Sequence, residues 1–274
     1  MIRAALDAVG QLPDSEIALA DTALLLARLD QPDADWRRAQ KHLSQLARDC
    51  IHLRDTSGSW AEEQAQALAA MLVSRYGYSG DYETYDDLQN LNLIAVTERR
   101  RGMPIGLGII WLHCAEVAGW DCYGINFPSH FVLGLDGDDG QILLDIFADG
   151  RVLEPEDLEG MLARIGDGRR RQKAAPALTV RMTKREVLIR LQQNISYRRE
   201  QSGDLAGALR AVEDMLRFAP SDINLWQQAA GIHQQMGQIA AAVRCMGHVV
   251  ELIPPGADLT RARAVMRRLR SSLN

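Results

Sequence analysis

Pro104-Ile-Gly-Leu-Gly-Ile-Ile-Trp-Leu-His-Cys-Ala-Glu-Val-Ala118 is the stretch on which the fold turns. It is nearly all apolar apart from His113 and Glu116, and Arg101-Gly-Met103 interrupts the pattern just before it. Proline costs nothing in the first turn of a helix, where its missing N–H has no intrahelical acceptor. Gly119 supplies the stop. The spacing predicts a helix over 104–118, and a helix apolar on most sides belongs inside a core. Gly106 and Gly108 lower helix propensity, so they predict close approach of neighbouring backbone.

Past Gly119 the period changes. Residues 122–126, 130–135 and 141–147 are short runs with branched and aromatic content, each bounded by turn residues. Asp136-Gly-Asp-Asp-Gly140 between the last two predicts a β-hairpin. A turn centred on Gly137 to Asp139 sets Asp145 opposite Val132, on the sheet face of His130 and diagonal to it. On the other side of the core stretch, apolar spacing predicts helices over 15–29 and 33–54. Two more are expected, one ending near Tyr76-Gly77 and one over 87–100, with a loop over 78–87. Ser59 and Glu62 have the spacing of a capping box ahead of the third. A short helix over 158–165 closes this half.

Gly166-Asp-Gly-Arg-Arg-Arg-Gln-Lys173 reads as a linker, and beyond it the sequence repeats. Gly203, Ala208, Val212, Met215 and Pro220 recur as Gly237, Ala242, Met246, Val249 and Pro254, each 34 residues on. Glycine at an inter-helix turn, alanine in the second helix and proline closing the unit make the tetratricopeptide pattern. Two such units are fewer than the ~3 that usually stand alone. Residues 258–273 are therefore expected to add a closing helix, and the N-terminal part of the chain to shield the other end. The expected division is 1–165, a basic linker 166–186, and helical repeats over 187–274.

Forty-seven per cent of the 274 residues are hydrophobic and the formal charge is −5, which excludes a mainly disordered chain. Charge is uneven: a net −14 over 1–165, +5 over 166–186 and +4 over 187–274. No apolar run is long enough to span a bilayer. Cys50, Cys114, Cys122 and Cys245 include no CxxC pair, so a reducing cytoplasm is the expected setting.

A histidine oriented by a carboxylate is two-thirds of a nucleophilic triad, and His130 with Asp145 has that form. A local hydrogen bond that only fixes the hairpin is the plainer alternative. A thiolate is best activated at a helix N-terminus, yet Met103 to Gly108 offers neither cysteine nor serine. Cys114 lies about two turns further down and reads as a small buried hydrophobe. Cys122 reads as core, and Ser129 points away from His130 if both lie in a strand. No metal site or cofactor is expected: His113 and Cys114 diverge on a helix, and the Asp136–Gly140 turn lacks the closing glutamate of a calcium loop. There is no phosphate-binding glycine loop with its lysine. The arginines at 169–171, with Lys173, and those at 261, 263, 267, 268 and 270 have no interleaved aromatics. They read as solvated faces rather than a nucleic-acid surface.

Glu98-Arg-Arg-Arg-Gly-Met-Pro-Ile-Gly-Leu107, Gly124-Ile-Asn-Phe-Pro-Ser-His-Phe131 and Leu144-Asp-Ile-Phe-Ala-Asp-Gly150 resemble the SirB/YchA-type transglutaminase-like family of bacteria. That resemblance covers almost the whole chain. It implies an α+β, mostly helical fold: a transglutaminase-like (papain-like) core with a small antiparallel sheet, then a tetratricopeptide-like helical domain. It also implies His130 and Asp145 as the histidine and aspartate of the superfamily's site. The position of its nucleophilic cysteine falls at 105–107, where this chain has Ile, Gly and Leu.

The sequence reading therefore favours a non-catalytic regulatory or protein-interaction protein with a degenerate core, bound to a protein or peptide partner rather than to membrane or nucleic acid. Gln192, Arg198, Gln227 and Gln234, with Asn194 and Gln228, are the polar candidates for its binding face. The alternative is an acyl-transfer or amide-hydrolysing enzyme using His130 and Asp145. A weaker third reading is nucleic-acid or ribosome association through the arginines.

Overall fold

The computed structural model describes residues 2–127, 130–163 and 180–272. Its contacts divide the chain into two compact units, Asp14–Leu191, and Met1–Pro13 with Gln192–Asn274. This differs from three successive segments, because the first helix, α1 (Ile2–Val9), packs in the second unit. Its apolar stripe is short, with Leu6 wholly buried, and ion pairs Arg3–Asp214 and Asp7–Arg217 flank it. An eight-residue helix is marginal by itself and is stable only where such a stripe is covered.

The unit 14–191 is built from α2 (Leu19–Asp30), α3 (Trp36–Thr56), α4 (Ala61–Ala69), α5 (Leu93–Arg99), α6 (Pro104–Ala118) and α7 (Pro155–Ala163). Two short strands, β1 (Ser79–Gly80) and β2 (Arg101–Gly102), pair in parallel. Strands β3 (Asp121–Ile125), β4 (Val132–Gly137), β5 (Gly140–Asp145) and β6 (Arg151–Val152) form an antiparallel sheet in that order. The α+β, mostly helical arrangement expected from the sequence is the one observed.

Helix α6 is central. Every residue from Pro104 to Leu112 is buried, and α2, α3, α4, α5 and the sheet all pack on it. Gly119 takes the left-handed conformation at its end, with φ +77°. A Cβ at Gly106 would come within 2.8 Å of the Asn90 carbonyl, so backbone does approach there. At Gly108 the neighbour is a side chain instead: the Phe131 ring lies 2.4 Å from where a Cβ would stand.

Local chemistry explains where element boundaries depart from those expected. The Ser59–Glu62 capping box is not made; Trp60 is the N-cap of α4, and Asp139 Oδ1 accepts the Ala61 N–H at 2.6 Å. A carboxylate from the hairpin turn thus takes the role a local hydroxyl would have had. The helix expected over 87–100 begins only at Leu93, because Asn92 caps it by accepting from the Ile94 and Ala95 amides. A single 3₁₀ turn, Leu88–Asn90, precedes it.

The second unit contains the end of α8 (Lys184–Gln201), then α9 (Leu205–Phe218), α10 (Ile223–Gln235), α11 (Ile239–Leu252) and α12 (Ala257–Ser271). Helix starts recur 34 residues apart, at Leu205 and Ile239 and again at Ile223 and Ala257. Gly203 and Gly237 hold the inter-helix turns at φ +82° and +72°, a region costly for any residue with a Cβ. Ala208 and Ala242 are wholly buried, so the small side chains sit where neighbouring helices meet. Helix α12 packs on α11 as the closing helix, and α1 packs on α9.

Candidate functional site

The hairpin register pairs Leu133 with Leu144 and Gly137 with Gly140, which places Asp145 opposite Val132 as the turn geometry predicted. His130 lies just before β4, and its Nε2 is 3.2 Å from Asp145 Oδ1. The same oxygen accepts the Phe147 and Ala148 amides, at 3.0 and 3.4 Å. Burial alone would raise the Asp145 carboxyl; the bond from His130 and those two amides outweigh it and hold it below its ordinary value. In the neutral tautomer with the proton on Nε2, His130 donates to Asp145 and leaves Nδ1 as an acceptor.

Two anchors fix the segment that carries His130. Arg190 donates to Asn126 Oδ1 and to the carbonyls of Phe127 and His130, tying those three residues to one guanidinium. Burial lowers the Arg190 guanidinium to about 10, which leaves it charged at neutral pH. Next to His130, the Phe131 ring enters the space left by Gly108 on α6 and by Gly124 on β3. The glycines of the core stretch thus set how the His130 segment sits against α6.

Three aromatic rings meet at Phe147, two residues after Asp145. Tyr82 and Phe147 have centroids 4.3 Å apart, Tyr85 meets Phe147 edge-on at 5.5 Å, and Tyr82 donates from its hydroxyl to the Phe147 carbonyl at 2.8 Å. The Phe147 ring lies over Gly80 of β1. Beside this edge, buried Asp81 accepts from Thr84 and Arg99, and Arg99 also donates to Asn90 Oδ1 at 2.9 Å. Despite burial, those bonds hold the Asp81 carboxyl well below the usual range.

The nucleophile candidates are placed elsewhere or are chemically quiet. The first turns of α6 present Ile105, Gly106, Leu107 and Gly108, all buried. A hydrogen bond with Cys50, together with burial, pushes the Cys114 thiol up, and burial pushes Cys122 up to about 12. Burial also raises Cys245. A raised pKa depletes the thiolate that would attack. Ser129, the arginines 169–171 and Lys173 lie outside the described residues. Among the described residues, no three His, Cys, Asp or Glu side chains converge as metal ligands would.

The polar candidates on the repeat helices divide. Gln192 is buried, 5% exposed, and so is not on a binding face, because its helix turns it inward between Leu191 and Ile195. Arg198 is half-buried and donates to Asn194 Oδ1 at 3.4 Å. Gln228 donates to Ser196 and Glu200 and ties α10 to α8. Gln227 and Gln234 are exposed and line a groove of about 640 Å³ between α10 and α12.

A profile of the transglutaminase-like superfamily matches residues 37–193. The chain belongs to that superfamily. A tetratricopeptide-repeat profile matches residues 195–270, so the transglutaminase-like domain is followed by the helical repeats. Relatives include a UPF0162 protein of Xylella fastidiosa, 27% identical over 259 residues, covering 92% of this chain and 90% of the relative. A UPF0162 protein of Pseudomonas aeruginosa is 27% identical over 234 residues, covering 85% and 83%. Human F-box only protein 21 is 31% identical over 114 residues, covering 38% of this chain and 18% of that protein.

Arg190, Tyr82 and Tyr85 lie in the surroundings of His130, Asp145 and Phe147, and the sequence assigns none of the three a role. The two tyrosines were visible only as a polar, aromatic loop. Arg190 had no local signal at all, since its three acceptors lie some 60 residues earlier.

Proposed function

We propose that this transglutaminase-like protein, of SirB/YchA type, is a non-catalytic regulatory or interaction protein of the cytoplasm whose repeat unit binds a protein or peptide segment. The observation that carries the reading is the apolar first turn of α6: residues 105–107 offer no group that could form a covalent acyl intermediate. The quiet thiols support it, and the free state of all four cysteines fits a reducing compartment. No described helix is long and apolar enough to cross a membrane. On this reading His130 and Asp145 hold the hairpin end in place, and the open groove over α10 and α12 supplies the binding surface.

A second reading is kept alive by one observation, the His130–Asp145 bond itself. It leaves Nδ1 as a base, and a base within reach of a bound water could hydrolyse an acyl or amide donor. Incubating the full chain with thioester and amide acyl donors and hydroxylamine separates the two. Release of free acid and of hydroxamate, both equal to buffer and unchanged in His130→Ala, is expected. Turnover that vanishes in His130→Ala would overturn the non-catalytic reading.

A further inference from the structure

Leu112 and Glu116 lie about one and two turns of α6 beyond Gly108, where Phe131 packs, and they line a cavity of about 410 Å³. Its other walls come from the start of α2, the first residues of β3 and the first turn of α8, all within the unit 14–191. Buried Leu19, Leu112, Tyr123 and Val187 bound the space, and half-buried Trp120 and Met182 complete an apolar wall. The volume falls in the range of about 300–1,000 Å³ usual for small-molecule sites. Neither His130 nor Asp145 is among the lining residues.

The polar edge of this cavity is narrow and is held by bonds within the protein. Thr183 and Glu186 form a capping box, with the Thr183 N–H donating to Glu186 Oε2 at 2.8 Å and the Glu186 N–H to Thr183 Oγ1 at 3.2 Å. That box fixes the turn that carries Lys184, and the Met182 N–H ties the same wall to the Gly124 carbonyl at 2.8 Å. Lys184 donates to Glu116 Oε1 at 2.6 Å and to the Ser15 carbonyl at 3.3 Å. An ammonium has three N–H groups, so one donor is left over among the described residues. Asp14, on the same edge, accepts from Arg185 at 2.9 Å. Each carboxylate there has a cation of this protein beside it, so the edge presents a hydrogen-bond donor and no net charge.

We infer that this cavity binds a small, uncharged, largely apolar molecule whose one oxygen acceptor, a ketone or ester carbonyl, takes the remaining N–H of Lys184. Burial against the apolar wall supplies the affinity, and the single donor fixes the orientation. The site goes beyond the interaction reading above, since it needs neither the repeat helices nor any chemistry at His130.

The probe is 6-propionyl-2-dimethylaminonaphthalene, an uncharged naphthalene with one ketone, titrated with the full chain. Its emission should shift to the blue and saturate. Cys122→Phe puts a ring into the cavity from β3 and should weaken binding tenfold or more. Met182→Trp should do the same from the half-exposed side, and circular dichroism should show which of the two variants is folded. Lys184→Met keeps the aliphatic stem and removes the donor, so it should weaken binding about two- to tenfold, the worth of one hydrogen bond. Methyl decanoate should displace the dye more strongly than decanoate. No blue shift, or one that persists in a folded variant with the cavity filled, would overturn the cavity as a site. Undiminished binding by Lys184→Met would overturn the oriented acceptor, and displacement by decanoate but not by its ester would overturn the uncharged class.

Discussion

Helix α6 and helix α10 both carry glycine where alanine would give a more stable helix, and the two regions use it in opposite ways. In α6 the space is taken: Asn90 backbone lies against Gly106 and the Phe131 ring against Gly108. In α10 the space over Gly231 is open. An occupied glycine records internal packing and has its propensity cost returned as contact. An unoccupied one leaves that cost standing, with nothing in the protein packed against it. The same residue type is therefore packed over in one unit and left open in the other.

The sharpest way to break that comparison is Gly108→Leu. The new side chain would collide with Phe131 at the position that seats the His130 segment, and overpacking of this kind costs about 1–3 kcal/mol. Urea denaturation should show a lower midpoint with an unchanged slope; an unchanged midpoint would mean that α6 is not the packed centre.

Next in size is the His130–Asp145 contact. Either His130→Ala or Asp145→Ala strands a partly buried partner and should cost about 1–2 kcal/mol. The double variant should lose less than the two single losses together. Strict additivity in that cycle would show that the pair does not interact.

Gly231→Ala has the opposite sign. With no clash at the Cβ, it should raise stability by about 0.5–1 kcal/mol, as alanine does at an open helical position. A loss of stability would show that the space over Gly231 is not open, and would sink the contrast with Gly108.

A pH-dependent effect is expected from half-buried His42, whose Nδ1 faces Arg100 and whose Nε2 meets the Tyr78 hydroxyl. Burial and the Arg100 charge lower its pKa from 6.5 to about 4. The unfolded chain then binds more protons between those values, so this contribution is full above pH 6.5 and is lost as pH falls toward 4. Thermal melts across that window should show falling stability, with a flatter slope in His42→Gln. Asp145, whose pKa is depressed, acts below its ordinary carboxylate range: its contribution is lost only as pH falls further, through its own lowered value.

Much of this could be read in advance, and the reason differs by region. Helix α6 was legible end to end because its start, its stop and its apolar content are all local signals. The repeats were legible because a period of 34 is visible without any structure. The helix expected over 87–100 is shorter, because Asn92 caps it and competes with the apolar spacing that starts at Leu88. Gln192 is polar yet buried, because the turn of α8 and not polarity decides its exposure.

The sequence by itself determined what depends on neighbours a few residues or one repeat apart: helix α6, the hairpin and its register, the placing of Asp145 beside His130, and the helical pairs. Tertiary structure alone decided what depends on groups distant in sequence and near in space. Asp139 caps α4 across 78 residues, Arg190 clamps the His130 segment across about 60, and α1 joins helices at the far end of the chain. A periodic pattern states which face of an element is apolar, but not which other element will cover it. That choice comes from the summed packing of the whole chain, and no short window of residues contains it.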